Sequence, residues 1–71
     1  MKNKEAKYLI WLNKQINRFD IKWMKTHRKY ADKNGNIKHN SEPDLELRYY
    51  MALMCTYIIA REKFKEMFKI E

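Results

Sequence analysis

The chain has 71 residues, of which 45% are hydrophobic and 35% charged, and its formal net charge at pH 7 is +7. A domain of this length buries only a small core, so something has to reinforce it. Cys55 is the only cysteine, which excludes an intramolecular disulfide, and two separated histidines argue against structural zinc. We therefore expect one domain over residues 1–71, without metal or cofactor, reinforced by self-association or by a partner.

The whole chain contains one glycine and one proline, which favours long helices over turn-rich β structure. Residues 4–32 keep a helical periodicity, and residues 33–42 then concentrate turn-forming asparagine, glycine and serine. Pro43 suits the first turn of a second helix, which we expect over residues 43–69. The prediction is an all-α fold of two long antiparallel helices, a helical hairpin. A break near Asp20, giving three helices, is the structural alternative.

Basic side chains recur at three- and four-residue steps along the first predicted helix and therefore share one face. This basic stripe consists of Lys4, Lys7, Lys14, Arg18, Lys22, Lys25 and Lys29. Trp11 occupies the gap in the series, on the face away from the predicted core. Roughly opposite lies an apolar stripe, which we expect to form that core: Leu9, Leu12, Ile16, Phe19, Trp23, Thr26 and Tyr30.

The basic stripe and Trp11 form the predicted partner-binding surface. A face that serves solubility alone usually mixes charges of both signs, but no acidic residue interrupts this one. An exposed tryptophan is typical of binding hot spots, and Ile21 on the flank adds an apolar anchor. We expect a larger host or phage protein with an acidic surface to bind here, through Lys7, Trp11, Lys14, Arg18, Ile21, Lys22, Lys25 and Lys29.

The second predicted helix is apolar over roughly 200° of its circumference, where a two-helix contact needs about 100°. We therefore expect a homodimer in which two hairpins form a coiled-coil-like four-helix bundle with the second helices central. The rival arrangement is a hairpin whose apolar patch docks onto a different protein. The residues predicted to self-associate are Leu47, Tyr50, Ala52, Leu53, Cys55, Tyr57, Ile59, Phe64 and Phe68.

Charge is divided unequally, because residues 1–40 carry a net +8 and residues 41–71 a net −1. In the expected dimer the first helices would form basic outer walls. The same stripe suits the phosphate backbone of DNA or RNA, so sequence-independent nucleic-acid binding by a helical dimer is the alternative function. A role on an anionic membrane surface is a third possibility for a basic amphipathic helix.

No pattern of side chains suggests catalysis. His27 and His39 have no carboxylate at a catalytic spacing, and the sequence contains no Ser-His-Asp set or phosphate-binding glycine loop. The apolar run over residues 49–60 is too short to span a bilayer, and no secretory signal is visible. The expectation is a cytoplasmic, non-catalytic interaction protein: an adaptor, inhibitor or assembly factor of the kind that phages and mobile elements deploy.

Overall fold

The computed structural model describes the backbone of residues 3–69 and the side chains of residues 4–69, so both ends of the predicted 1–71 domain lie outside the described residues. Two helices, α1 (Asn3–Tyr30) and α2 (Glu42–Met67), make up most of this range, and no strand occurs within it. The prediction of an all-α helical hairpin is confirmed.

Contacts between the helices show that they run antiparallel. The ring of Tyr8, near the start of α1, contacts that of Phe64, near the end of α2. Further along α1, the ring of Phe19 contacts that of Tyr50 near the start of α2. The resulting hairpin is a rod about 47 Å long and 16–18 Å across.

α1 is one uninterrupted helix through Asp20, so the three-helix alternative is wrong. It ends two residues before the predicted boundary because the carboxylate of Asp32 starts a turn. Asp32 Oδ1 accepts hydrogen bonds from the backbone N–H groups of Asn34, at 2.8 Å, and Asn36, at 3.0 Å. Gly35 completes the turn with a φ of +81°, a left-handed conformation that glycine adopts without strain.

α2 begins at Glu42, one residue before the predicted start, because Ser41 acts as its N-cap. Ser41 Oγ accepts a hydrogen bond from the backbone N–H of Asp44 at 3.4 Å. The Asp44 carboxylate in turn accepts one from the backbone N–H of Asn40 at 2.8 Å. Pro43 lies in the first turn, where its missing N–H removes no helical hydrogen bond. Local side chains therefore satisfy the backbone at the start of this helix.

The core between the helices is small. Among the described residues four apolar side chains are buried: Leu9, Leu12, Leu47 and Met54. Leu12 is the most completely enclosed, at 1% exposure. The central members of the predicted apolar stripe, such as Phe19 and Trp23, are half-buried.

The predicted core does not extend to the ends of the helices. Tyr30, the last residue of α1, is exposed, so the apolar stripe stops about one turn earlier than predicted. α2 ends at Met67, two residues before the predicted boundary, and Lys69 has a left-handed φ of +53° that does not continue a helix. Phe68, between them, is exposed as well.

Candidate interaction surface

Aromatic rings from both helices form a continuous row along one side of the hairpin. Neighbouring ring centroids in the row are 4.7–6.2 Å apart, within the range of favourable ring contacts. This aromatic row contains, in spatial order, Phe68, Phe64, Tyr8, Trp11, Tyr57, Phe19, Tyr50 and Tyr49. Because the row crosses repeatedly between the helices, it joins α1 to α2 along most of their length.

Trp11 lies at the edge of the contact between the helices, so its predicted place on the face away from the core is wrong. Its ring centroid is 5.6 Å from that of Tyr57 on α2, with the two planes nearly perpendicular. On its own helix it stacks with Tyr8 at 6.2 Å. On a helical wheel Trp11 is about 100° away from Leu12, but the indole is long enough to reach back to the neighbouring helix. It remains 46% exposed.

The basic stripe runs beside the aromatic row. The ammonium nitrogen of Lys22 lies 5.4 Å from the ring centroid of Phe19 and 6.0 Å from that of Tyr50. The guanidinium carbon of Arg18 lies 5.8 Å from the Phe19 ring. These are cation–π distances, so two cations of the stripe are held against the row. The charged and apolar sides of α1, predicted to lie roughly opposite, therefore meet along this edge.

Other cations of the stripe project into solvent. Lys7, Lys14 and Lys25 are exposed, and the ion pairs described in the hairpin, Asp44 with His39 and Arg48 and Arg61 with Glu62, involve none of them. The exposed ammonium group of Lys29 lies 5.2 Å from the centroid of the Tyr30 ring. Because cations outnumber carboxylates along α1, this edge carries a positive potential available to an anionic partner.

Ile21 is less closely associated with the aromatic row than the other predicted partner-binding residues. It lies about 80° around the helix from Trp11, at the outer edge of the basic stripe. Ile10 and Met24 are exposed on the same outer side of α1.

The predicted self-association residues divide into two groups. One group already packs inside the hairpin: Leu47 is buried, Leu53 is half-buried, and Tyr50, Tyr57 and Phe64 contact α1 through the aromatic row. The other group is exposed and consists of Ala52, Cys55, Ile59 and Phe68. The second group leaves more of its side-chain surface open to another molecule.

Three further exposed side chains belong to these surfaces, although the sequence prediction omitted them: Tyr8, Leu45 and Tyr49. Spacing could have identified each one. Tyr8 precedes Trp11 by three residues, and Tyr49 precedes Ala52 by three, which places each pair on a common helix face. Leu45 precedes Ala52 by seven residues, or about two turns.

An open cleft at the loop end of the hairpin is lined mainly by Trp23, His27, Leu47, Asp44 and Arg48. The rings of Trp23 and His27 stack with a centroid distance of 5.0 Å. Asp44 and Arg48 pair at 3.2 Å, so these opposite charges already satisfy each other. Within the described part of the chain, no group of three or more histidine, cysteine or acidic side chains is placed to hold a metal ion.

A search of protein-family models finds no match to this chain, and no curated protein or solved structure is significantly similar to it. Neither helix, over the residues described, contains a stretch long and apolar enough to cross a membrane. The functional interpretation therefore depends on the surface residues of this chain.

Proposed function

We propose that this chain is a small non-catalytic interaction protein that acts as a pair of identical hairpins. Its basic stripe and aromatic row bind an acidic surface on a larger protein. The observation that supports this proposal is that one edge of the hairpin combines exposed cations, such as Lys14 and Lys25, with the partly exposed ring of Trp11. An adaptor, inhibitor or assembly factor, such as those encoded by phages and mobile elements, can act through such a surface alone.

The exposed cations provide long-range attraction and orientation. The stripe from Lys4 to Lys29 covers about 38 Å of α1, so it can face an extended acidic region. Charges at the rim of an interface mainly increase the association rate and exclude partners of like charge. The stripe therefore selects acidic partners before close contact forms.

The aromatic row provides short-range affinity. Tryptophan, tyrosine and arginine are the residues most often found at the energetic centre of protein interfaces. Trp11 is already held by Tyr8 and Tyr57, so little conformational entropy is lost when its exposed edge enters a pocket on a partner. Tyr8 extends the exposed aromatic surface beyond it.

The same packing favours a protein over a nucleic acid. A base stacks on a free ring face, but Tyr8 and Tyr57 cover parts of the Trp11 indole. Nucleic-acid binding by a helical dimer remains the alternative proposal, supported by the length of the stripe and its lack of acidic residues.

Affinity capture from the native host, with and without nuclease treatment, tests the proposal. The wild-type chain should retain one specific protein after nuclease treatment. The exposed pair Lys14→Glu and Lys25→Glu should lose it, with binding weakened about tenfold or more by the reversed charges. A matched control is the pair Lys33→Glu and Lys69→Glu, which changes the net charge equally at exposed positions off the stripe.

Equal weakening by the two pairs would show that net charge, not the stripe, controls binding, and would contradict the proposal. Direct titration with DNA and RNA at about 50 mM salt decides the alternative. Binding that falls steeply as salt rises and disappears in the Lys14/Lys25 variant would favour nucleic acid over a protein partner.

A further inference from the structure

The side of α2 that faces away from α1 is mainly apolar over four turns. The exposed Arg48 also lies on this side, and it pairs with Asp44 at 3.2 Å. Exposed side chains line this α2 outer face: Leu45, Tyr49, Ala52, Cys55, Thr56 and Ile59. Tyr49 and Ile59 are 60% and 59% exposed. The Thr56 hydroxyl donates to the Ala52 carbonyl oxygen at 2.9 Å, so its polar group is already satisfied. From Leu45 to Ile59 the face is about 21 Å long.

This exposed face is large relative to the core that stabilises the hairpin. Four apolar side chains are buried among the described residues, and a two-helix core of this size is marginal by itself. A large, mainly apolar exposed face is typical of a surface that another protein covers. Covering it would add a second buried layer on the other side of α2.

We infer that a second copy of this chain covers the α2 outer face. The two α2 helices lie antiparallel, with the two-fold axis of the dimer beside Ala52. This inference rests on the pairing of hairpins in the proposed function and specifies the face, the polarity and the register of that pairing.

Charge at the two ends of the face favours the antiparallel arrangement. Glu42 lies at the beginning of α2 and Lys63 near its end, both exposed. A two-fold axis at Ala52 brings Glu42 of each copy close to Lys63 of the other copy. A parallel arrangement would instead bring Glu42 against Glu42 and Lys63 against Lys63. Antiparallel packing also places opposite ends of the helix dipoles side by side.

Side-chain size favours the register at Ala52. A small residue at the point of closest approach allows two helix axes to come within about 8 Å. The larger side chains then lie on both sides of the crossing, with Leu45 of one copy near Ile59 of the other and Tyr49 near Thr56. These contacts bury apolar side chains, and Arg48, one turn from the crossing, keeps Asp44 of its own chain as its counter-charge.

The corresponding side of α1 is a poor contact for a second copy. Its exposed Ile10, Ile21 and Met24 lie beside exposed cations, including Lys14 and Arg28. Two such faces would repel each other. Pairing through α2 instead keeps the two basic stripes apart, on the outside of the dimer.

Sedimentation of matched variants tests which helix forms the interface. Ile59 on α2 and Ile10 on α1 are similarly exposed, at 59% and 53%. The wild-type chain should sediment as a dimer at micromolar concentration. Ile59→Lys should raise the dimer dissociation constant about tenfold or more, because it places a charge in an apolar contact, and Ile10→Lys should leave it unchanged. A dimer unaffected by Ile59→Lys, or weakened equally by both changes, would overturn the inference.

Cross-linking tests the register without destabilising either helix. In a Cys55→Ser background, Ala52→Cys should form a disulfide between two chains under mild oxidation by diamide, since the facing Cα atoms come within about 7 Å. Asn17→Cys, exposed in the middle of α1, is the matched control and should stay monomeric on a non-reducing gel. Efficient cross-linking by Asn17→Cys, or none by Ala52→Cys, would overturn the proposed register.

These results separate failure of the inference from failure of the proposed function. A wild-type dimer without cross-linking at residue 52 would refute this face and register while leaving the pairing intact. A wild-type monomer would refute both the inference and the pairing. Binding of a larger protein through the basic stripe is measured separately, with the Lys14/Lys25 variant.

Discussion

The two helices differ in the chemistry of the side that faces away from their shared contact. α1 buries Leu9 and Leu12 against its neighbour, and on its outer side exposed apolar residues such as Ile21 lie among exposed cations such as Lys14 and Lys25. α2 also buries one side, at Leu47 and Met54, yet Ile59 is exposed on the opposite side. A helix with one apolar side is therefore covered by one packing partner, whereas a helix that is apolar on two sides needs two.

The largest expected effect on the free energy of unfolding comes from a change in the buried core between the two helices. Leu12→Ala should lower the free energy of unfolding by about 3 kcal/mol, because Leu12 is nearly fully enclosed and its truncation leaves a cavity. In so small a domain this change should leave much of the chain unfolded at room temperature. Ile10→Ala, two positions away but exposed, should change the free energy by less than about 0.5 kcal/mol. Urea unfolding followed by circular dichroism measures both, and equal effects would contradict the observed core.

The next largest effect is expected at the start of α2. Local hydrogen bonds stabilise this end of the helix, which packs against α1 on one side only. Asp44→Ala removes the acceptor for the Asn40 N–H and the partner of Arg48, and should cost about 1 kcal/mol. Glu42→Ala, an exposed acidic neighbour in the same turn, should cost less. Amide hydrogen exchange in this turn should accelerate in the Asp44 variant, and unchanged exchange would show that the cap is unimportant.

A smaller effect concerns a polar contact that joins the helices. Arg61 Nη1 donates to Asn13 Oδ1 at 3.0 Å, and its Nε donates to the neighbouring Glu62 at 3.1 Å. Asn13→Ala should cost about 0.5–1 kcal/mol of unfolding free energy, whereas Asn17→Ala, exposed one turn later on α1, should be nearly neutral. A double-mutant cycle with Arg61→Met isolates the contact, and strictly additive effects would indicate that it contributes nothing.

The smallest expected effect is a change of stability with pH, and it arises from a hydrogen bond within α2. The Tyr50 hydroxyl donates to the Glu46 carboxylate at 2.6 Å, and this hydrogen bond raises the pKa of Tyr50 above its ordinary value of 10.0, with smaller contributions from burial and from the Glu46 charge. The protonated phenol is thus favoured in the folded chain. Its contribution to stability is fully present below pH 10 and is lost as the pH rises through the raised pKa.

Glu46→Gln should bring the pKa of Tyr50 back toward its ordinary value. The difference in tyrosinate absorbance between each protein and its Tyr50→Phe derivative isolates this one tyrosine among five. A Tyr50 titration that is the same in the presence and absence of the Glu46 charge would show that the hydrogen bond does not persist in solution.

Much of the fold could be predicted because its signals are local. Turn formers around Gly35, the proline at position 43 and the three- and four-residue periodicities act within one or two helical turns. The small errors at the helix ends also arose locally, since the Asp32 turn and the Ser41 cap begin within two residues of the predicted boundaries.

The candidate surface was harder to predict because it depends on how α1 is rotated against α2. A helical wheel correctly placed Lys14 and Lys25 in solvent, but it could not show that Trp11 and Lys22 reach rings on the other helix. It also grouped Tyr57 with Ile59 as self-association residues, although the hairpin uses the first and leaves the second exposed.

By itself, the sequence determined that the chain forms two helices joined by a turn and that positive charge is concentrated on the first. Only the tertiary structure decided which apolar side chains are buried inside the hairpin and which remain exposed for contact with another molecule. The physical reason is that periodicity is a property of one helix and depends on neighbouring residues. Burial is a property of two helices together, and depends on their relative rotation and on how far each side chain reaches.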